Sequence, residues 1–201
     1  MKAILNKIFN KRKIFNHKDI EFEKLRNQTE IKKIFNAISK FSDNSELRYV
    51  GGCVRKILNK EEFDDIDLAA NIEPNETILA LKNNDINFHE TGLKHGTVTA
   101  SVNNKNFEIT SLRRDVDTDG RHAKVEFSNN WREDALRRDF TFNSIYADLE
   151  GNLFDPFNGA EDLKNGKIKF IGNPESRIKE DYLRILRYIR FFLNYSKNGH
   201  D

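Results

Sequence analysis

The sequence predicts an α+β protein, with strands and helices sharing one sheet-bearing unit and a helical segment at its end. Three observations predict it. Short β-prone or alternating runs recur between Leu47 and Phe154, each bounded by Gly, Asn or Asp. Helical three- and four-residue spacings of apolar residues lie between and around those runs, and the last of them, Ser176 to Tyr195, is the longest. At 201 residues, with 37% hydrophobic residues and 16 Phe, the chain holds enough apolar material for one domain plus the beginning of a second.

The elements follow in order. Ile31, Ile34, Phe35, Ile38 and Phe41 form one apolar stripe on a helix that ends near Ser42 to Ser45. Leu47 to Val50 is a short strand, broken by Gly51-Gly52, and Cys53 to Leu58 is the helix that follows. Phe63 to Ala69 alternates apolar and acidic residues, the period of a strand with one buried face, which leaves Asp65 and Asp67 together on the other. Pro74 and Glu76 to Leu81 open a further helix. Thr97 to Val102 and Asn106 to Leu112 read as a hairpin turned at Asn103-Asn104. Asp115 to Ala123 is polar, contains Gly120 and reads as a flexible loop, with Val125 to Phe127 a short strand after it. Trp131 to Ser144 reads as helical, Ile145 to Leu149 and Leu153 to Phe154 as a hairpin across Glu150-Gly151-Asn152, and Lys167 to Ile171 as a further strand. Ser176 to Tyr195 reads as one long amphipathic helix whose apolar face is Ile178, Tyr182, Ile185, Leu186, Ile189 and Phe192.

Composition narrows the function classes. The 34 basic and 32 acidic residues leave a net charge of +2, so only local clustering of charge can mark a nucleic-acid partner. Cys53 is the sole cysteine, which excludes an internal disulfide and a multi-cysteine zinc site and fits a reducing compartment. No window approaches the roughly 20 apolar residues of a membrane span, so no membrane partner and a cytoplasmic location are expected. Met1 to Lys18 is basic and free of acids. A solvated leader helix is the expectation over a transit peptide, because Ser is absent there and Arg12 is its only arginine.

The chemistry starts from Asp65-Ile66-Asp67. Residues i and i+2 of a strand project to one side, and two carboxylates there repel unless a cation neutralises them. Mg²⁺ suits such a pair and usually arrives with substrate phosphates, and two such ions can activate a hydroxyl and stabilise a leaving pyrophosphate. Taken alone the tripeptide more often marks solvated carboxylates. Upstream, Gly51-Gly52-Cys53-Val54-Arg55 places glycines between strand and helix, where phosphate oxygens can approach backbone N–H groups, with Arg55 as a bidentate phosphate contact. Glu108, on a strand expected beside the acidic one, is a candidate third carboxylate against the plainer reading of an exposed glutamate. His89, His95 and His122 show no metal-ligand spacing, and Trp131 reads as core.

The order Gly-Gly, Val-Arg, Asp-x-Asp resembles the first motif of the DNA polymerase β nucleotidyltransferase superfamily. The likeness continues. Arg137-Arg138-Asp139-Phe140-Thr141-Phe142-Asn143 is similar to the family's Arg-Arg-Asp-x-x-x-Asn motif, Asp155-Pro156-Phe157-Asn158-Gly159 with Asp162-Leu163 to its head-to-neck motif, and Glu180-Asp181-Tyr182-Leu183-Arg184 to its Glu-Asp-x-x-Arg motif. The stretch Arg113 to Ala123 resembles the flexible loop of the class II CCA-adding enzymes, and His95-Gly96-Thr97-Val98-Thr99 fits that subgroup, which is close to the bacterial poly(A) polymerases.

That resemblance implies a polymerase β-like head, a mixed sheet flanked by helices, followed by the start of an all-helical neck. The implied division is a leader over residues 1–45, a head over 46–158 and a partial neck over 159–201. It further implies transfer of C and A from CTP and ATP to the 3′ end of tRNA, releasing pyrophosphate. By the same likeness Asp65 and Asp67 hold two Mg²⁺ ions; Gly51, Gly52, Arg55 and Arg138 position the triphosphate; Asp139 and Asn143 meet the sugar. Asp181 and Arg184 select the base, which is sensible chemistry because an Asp accepts from an exocyclic amine while an Arg donates to a ring acceptor. Arg187 and Arg190 support that selection or bind phosphate.

Lys56 stands where many members have Asp, Ala70 where Thr is common, and little sequence follows Tyr195 to supply the helical body and tail that hold the tRNA elbow. The alternatives left open are a poly(A) polymerase, a CC-only or A-only enzyme, and a catalytically incomplete head that binds RNA alongside a separate body subunit or a second copy of itself.

Overall fold

The computed structural model describes residues 17–119 and 122–197; the expected leader helix over Met1 to Lys18 falls almost wholly outside them. Its centre is a seven-stranded sheet of order β3-β4-β5-β2-β1-β8-β9. The strands are β1 (Leu47–Val50), β2 (Asp67–Ala70), β3 (Asn87–Gly92), β4 (Thr97–Val102), β5 (Lys105–Ser111), β8 (Tyr146–Ala147) and β9 (Leu153–Phe154). The pair β2 and β5 is parallel and the other pairs are antiparallel, so the sheet is mixed, as the α+β reading requires.

Period two fixes which side chains enter the core. On β1 and β2, Leu47, Tyr49, Leu68 and Ala70 enter the main core together with Phe107 and Ile109 of β5, while Val50 and Ala69 turn to a second cluster with Leu112, Trp131, Ala135 and Tyr146. Helices α1 (His17–Asn27) and α2 (Thr29–Ser39) cover the first face. Their Phe22 and Phe35 rings lie 5.6 and 5.0 Å from that of Tyr49, which is completely buried. Helix α3 (Gly52–Leu58) buries Cys53, Val54 and Ile57, and α4 (Pro74–Lys82) begins at a capping box in which Glu73 and Glu76 each bond the other's backbone N–H. The turn at Asn103-Asn104 has both residues at positive φ, 52° and 60°, the conformation that a two-residue hairpin of right-handed twist demands.

Five expectations are corrected. Strand β2 begins only at Asp67, so Asp65 lies in the irregular lead-in at 61–66 and is exposed. Of the expected loop at Asp115 to Ala123, Gly120 and Arg121 lie outside the described residues, and the rest belongs to a two-stranded ribbon of β6 (Arg113–Asp119) and β7 (His122–Phe127), paired along both arms apart from a bulge between Asp115 and Asp117. The helix from Trp131 ends at Leu136 (α5): the Arg138 N–H bonds the Ala135 carbonyl in a tighter turn, and the chain then enters a 3₁₀ segment at Thr141–Asn143. Lys167 to Ile171 contributes an isolated bridge, Phe140 to Phe170, rather than a strand.

The fifth correction is the most consequential. The terminal helix is two helices, α7 (Pro174–Glu180) and α8 (Leu183–Tyr195), broken at Asp181, whose φ of −154° and ψ of 103° are extended. Helix α8 also faces the other way from its apolar period. Tyr182, Ile185, Leu186 and Ile189 are exposed, whereas Arg184 and Phe191 are buried and Tyr188 and Tyr195 pack on the core. Ahead of these helices α6 (Gly159–Asn165) is started by Asp155, whose carboxylate accepts from the N–H groups of Gly159 and Ala160 at 2.8 and 2.9 Å.

Candidate active site

Gly51 has φ 71°, a conformation open to glycine, and stands at the N-cap of α3. A Cβ at Gly51 would lie 3.5 Å from Asp67 Oδ2, so the glycine turn and the acidic strand adjoin each other directly. In the β2–β5 register Asp67 is paired with Glu108, and alternation puts both on the face opposite the main core. Burial, and then the charges of Glu108 and Asp65, push the Asp67 carboxyl above its ordinary range, while Arg138 and Arg55 pull it back. Asp67 therefore stands at a boundary: acids on one side, arginines on the other.

A pocket of about 520 Å³ lies on the arginine side. It brings Gly51, Gly52 and Arg55 from the glycine turn together with Arg138, Asp139 and Asn143 from the segment after α5. Asp181, Arg184, Arg187 and Arg190 complete its wall from the α7–α8 region. Residues scattered over more than a hundred positions are thus gathered in one cavity. A second, larger groove of about 1370 Å³ lies on the acid side, where Asp65, Asp67 and Glu108 share the lining with Lys24, Lys60 and Lys105.

The pocket residues are cross-braced. Arg138 gives Nη2 and Nε to Asp134 Oδ2 at 3.1 and 3.2 Å, and its Nη1 lies 3.4 Å from the carbonyl of Asn143. Asp134 is 1% exposed and also accepts from Arg137 Nε at 2.8 Å and the Tyr146 hydroxyl at 2.6 Å. Burial opposes its charge, but Arg138, Arg137 and that hydroxyl outweigh burial and bring its pKa down to about 2. The N–H of Arg113 reaches Asp134 Oδ1 at 3.3 Å, which fastens the root of the β6–β7 ribbon to the same carboxylate. Asn143 donates to Asp139 Oδ1 at 2.9 Å and accepts from Arg55.

The two residues expected to select the base do not share a helix face, because Asp181 lies in the break between α7 and α8. Asp181 accepts from Leu183 N–H at 3.0 Å and from Arg187 Nη2 at 2.9 Å. Arg187 also gives Nε to Asp139 at 2.8 Å, so one guanidinium joins the residue expected at the sugar to one expected at the base. Arg184 is held by Glu180 and by the carbonyl of Arg177, each at 2.6 Å. Arg190 lies over Phe191 with 4.8 Å from its Cζ to the ring centroid.

Sequence reading missed Arg113 and Arg137 as pocket-lining residues, and it missed Asp134. The signal for Asp134 was its place one turn before Arg137-Arg138, which a helix-surface reading dismisses as an ordinary exposed pair. Among the described residues no three His, Cys, Asp or Glu side chains converge as a ready metal cage. Magnesium needs only one or two carboxylates with phosphate and water oxygens, and Asp65, Asp67 and Glu108 share one groove, so Asp65 and Asp67 fit such an ion.

A mixed sheet with a glycine turn, an acidic strand and an arginine pocket is the architecture of a nucleotidyltransferase head. The Poly A polymerase head domain matches residues 47–169, and the chain belongs to that family. It is 52% identical over 151 residues to human CCA tRNA nucleotidyltransferase 1, mitochondrial, an alignment covering 75% of this chain and 35% of that protein. The crystal structure of the Bacillus stearothermophilus CCA-adding enzyme in complex with CTP superposes with a TM-score of 0.71 at 30% identity, over 84% of this chain and 41% of the other. A tRNA nucleotidyltransferase complexed with a primer tRNA and an incoming ATP analogue superposes with a TM-score of 0.64 at 28% identity, over 81% and 46%. The chain spans about a third of the length of the curated relatives it matches.

Proposed function

We propose that this chain is the catalytic head of a template-independent tRNA nucleotidyltransferase that adds C and A to the tRNA 3′ end from CTP and ATP. The observation that carries it is the position of Asp67, between Asp65 and Glu108 on one side and Arg55 and Arg138 on the other. That is the boundary where a bound nucleotide's α-phosphate would meet an attacking hydroxyl. Relatives whose names state CCA addition, and solved relatives with CTP and with primer tRNA, support the substrate class.

In this reading Arg55 and Arg138 neutralise the triphosphate while Gly51 and Gly52 let it approach the backbone. Asp139 and Asn143 hold the sugar. Asp181 and Arg184 read the base edge, with Arg187 and Arg190 behind them. Asp65 and Asp67 would hold Mg²⁺, which when bound activates the tRNA 3′-hydroxyl and offsets charge on the departing pyrophosphate. The proposed division is a leader over 1–45, the head over 46–158 and the start of a neck over 159–201, and the proposed compartment is the cytoplasm; fractionation of a tagged chain tests the last point.

A second reading rests on α8. Tyr182, Leu186 and Leu193 are 69%, 63% and 77% exposed, an apolar face open to further helical material. In that reading the head binds RNA and works together with a body supplied by another subunit or by a second copy. The test is incorporation of labelled CTP and ATP, offered separately, on tRNA lacking CCA, on tRNA ending in CC and on unstructured RNA. Addition of C and A on the tRNAs alone supports the first reading. Extended A addition on any RNA supports a poly(A) polymerase, and silence relieved by a partner protein supports the second reading.

A further inference from the structure

Tyr195, the last residue of α8, lies outside every motif yet touches both halves of the site. Its hydroxyl accepts from Arg55 Nε at 3.3 Å and donates to Glu61 Oε2 at 3.1 Å. Arg55 is the arginine of the glycine turn, and its other end reaches Asn143 Oδ1. Glu61 opens the irregular segment at 61–66 that carries Asp65. The Tyr195 ring is fixed independently of these bonds: its centroid is 5.9 Å from Phe191 and 6.1 Å from Phe142, and Arg55 Cζ lies 5.6 Å above it. A phenol is suited to this place because it donates and accepts at once without adding charge between a cation and an anion.

The geometry points to Tyr195 as a positioning residue that ties α8 to Arg55 and to the acid-bearing segment, and so sets the triphosphate contact by the seating of that helix. This rests on the reading of Arg55 as a phosphate contact. The plainer alternative is that Tyr195 only fills space, and it predicts a different result. Replacing Tyr195 by Phe keeps the ring contacts and removes only the two hydrogen bonds. Arg55 keeps its bond to Asn143 and loses only the one from Tyr195, so its loosening should weaken nucleotide binding about three- to tenfold.

The experiment measures CTP and ATP affinity by equilibrium dialysis with Mg²⁺ on the whole chain, together with steady-state incorporation on tRNA lacking CCA and thermal unfolding. Tyr195→Phe is expected to unfold within about 2 °C of wild type, to raise Kd and KM for CTP about three- to tenfold, and to change kcat less than about twofold. In the Arg55→Ala background the same substitution is expected to add nothing, since its effect passes through Arg55. Unchanged affinity in Tyr195→Phe, or an effect that adds in full to Arg55→Ala, overturns the inference alone. A wild-type chain that binds CTP but adds no nucleotide overturns the catalytic reading and leaves the dialysis comparison decisive for Tyr195. A wild-type chain that binds neither nucleotide overturns both.

Discussion

Asp134 Oδ2 accepts from both Nε and Nη2 of Arg138, at 3.2 and 3.1 Å, while its Oδ1 takes Arg137, so one buried carboxylate braces two of the arginines that line the pocket. Removing it leaves two largely buried cations without their anionic partner. Asp134→Ala is expected to cost about 3–5 kcal/mol in urea or thermal unfolding. Tyr146→Phe removes a hydroxyl that donates to the same oxygen and accepts from Arg138 Nε, and should cost about 1–2 kcal/mol. A near-neutral Asp134→Ala would show that Arg138, whose Cζ lies 5.2 Å from the Tyr146 ring centroid, is held by that ring instead.

The same carboxylate sets a pH dependence. Its folded pKa of about 2 lies below the ordinary 3.8, so the stability it contributes is fully present above about pH 4 and drains away as the pH falls through 2. Asp134→Asn has no such group to titrate. Unfolding curves taken from pH 6 downward should therefore show wild type well above Asp134→Asn at first, with the gap closing toward pH 2. A gap that stays constant over that range would mean that the carboxylate's charge is not what holds Arg137 and Arg138.

The acids of the proposed metal site carry an opposite expectation. Asp67 is destabilised by burial and by its neighbours Glu108 and Asp65, so it serves function at a cost to the fold. Asp65→Ala and Asp67→Asn are each expected to reduce incorporation at least a thousandfold, on the order of 4 kcal/mol of barrier, with folding retained. Mg²⁺ with CTP should raise the melting temperature of the wild-type chain and leave that of Asp67→Asn nearly unchanged. Residual wild-type turnover in either variant would remove the pair from the metal site.

Much of this was legible because local chemistry and tertiary structure agree. Asn103-Asn104 can hardly be anything but a tight turn, and the run ending at Ala69 reads as a strand, although the strand begins only at Asp67 and leaves Asp65 in the segment before it. What failed did so where the tertiary environment overrode local pattern. Strand β3 (Asn87–Gly92) is a polar edge strand without apolar alternation, so only its pairing with β4 reveals it. Asp181 sits in a helical period, yet its carboxylate bonds Leu183 and Arg187 and the chain breaks there. On α8 the apolar period pointed to the wrong face, because Arg184 is paired with Glu180 and goes inward while Ile185 and Leu186 stay out. A buried arginine carries no hydrophobic signal, and its partner cannot be chosen from spacing alone.

Arg187 offers the last prediction. Its planar fork spans Asp139 at 2.8 Å and Asp181 at 2.9 Å, and a single ammonium cannot keep both contacts in fixed directions. Were Arg187 only a phosphate contact, Arg187→Lys would preserve the charge and leave the choice of nucleotide intact. If the fork aligns the sugar-side and base-side acids, the same substitution should loosen Asp181. Discrimination of CTP and ATP against UTP and GTP should then fall about tenfold, or about 1.4 kcal/mol, through a rise in KM for the correct nucleotides. Asp181 is pushed up by partial burial but held below its ordinary carboxylate range chiefly by its bond from Arg187, so it should also titrate at higher pH in the variant. Incorporation of each nucleotide offered singly, compared as kcat/KM, decides the point, and unchanged ratios in Arg187→Lys would leave base selection to Asp181 and Arg184 without this brace.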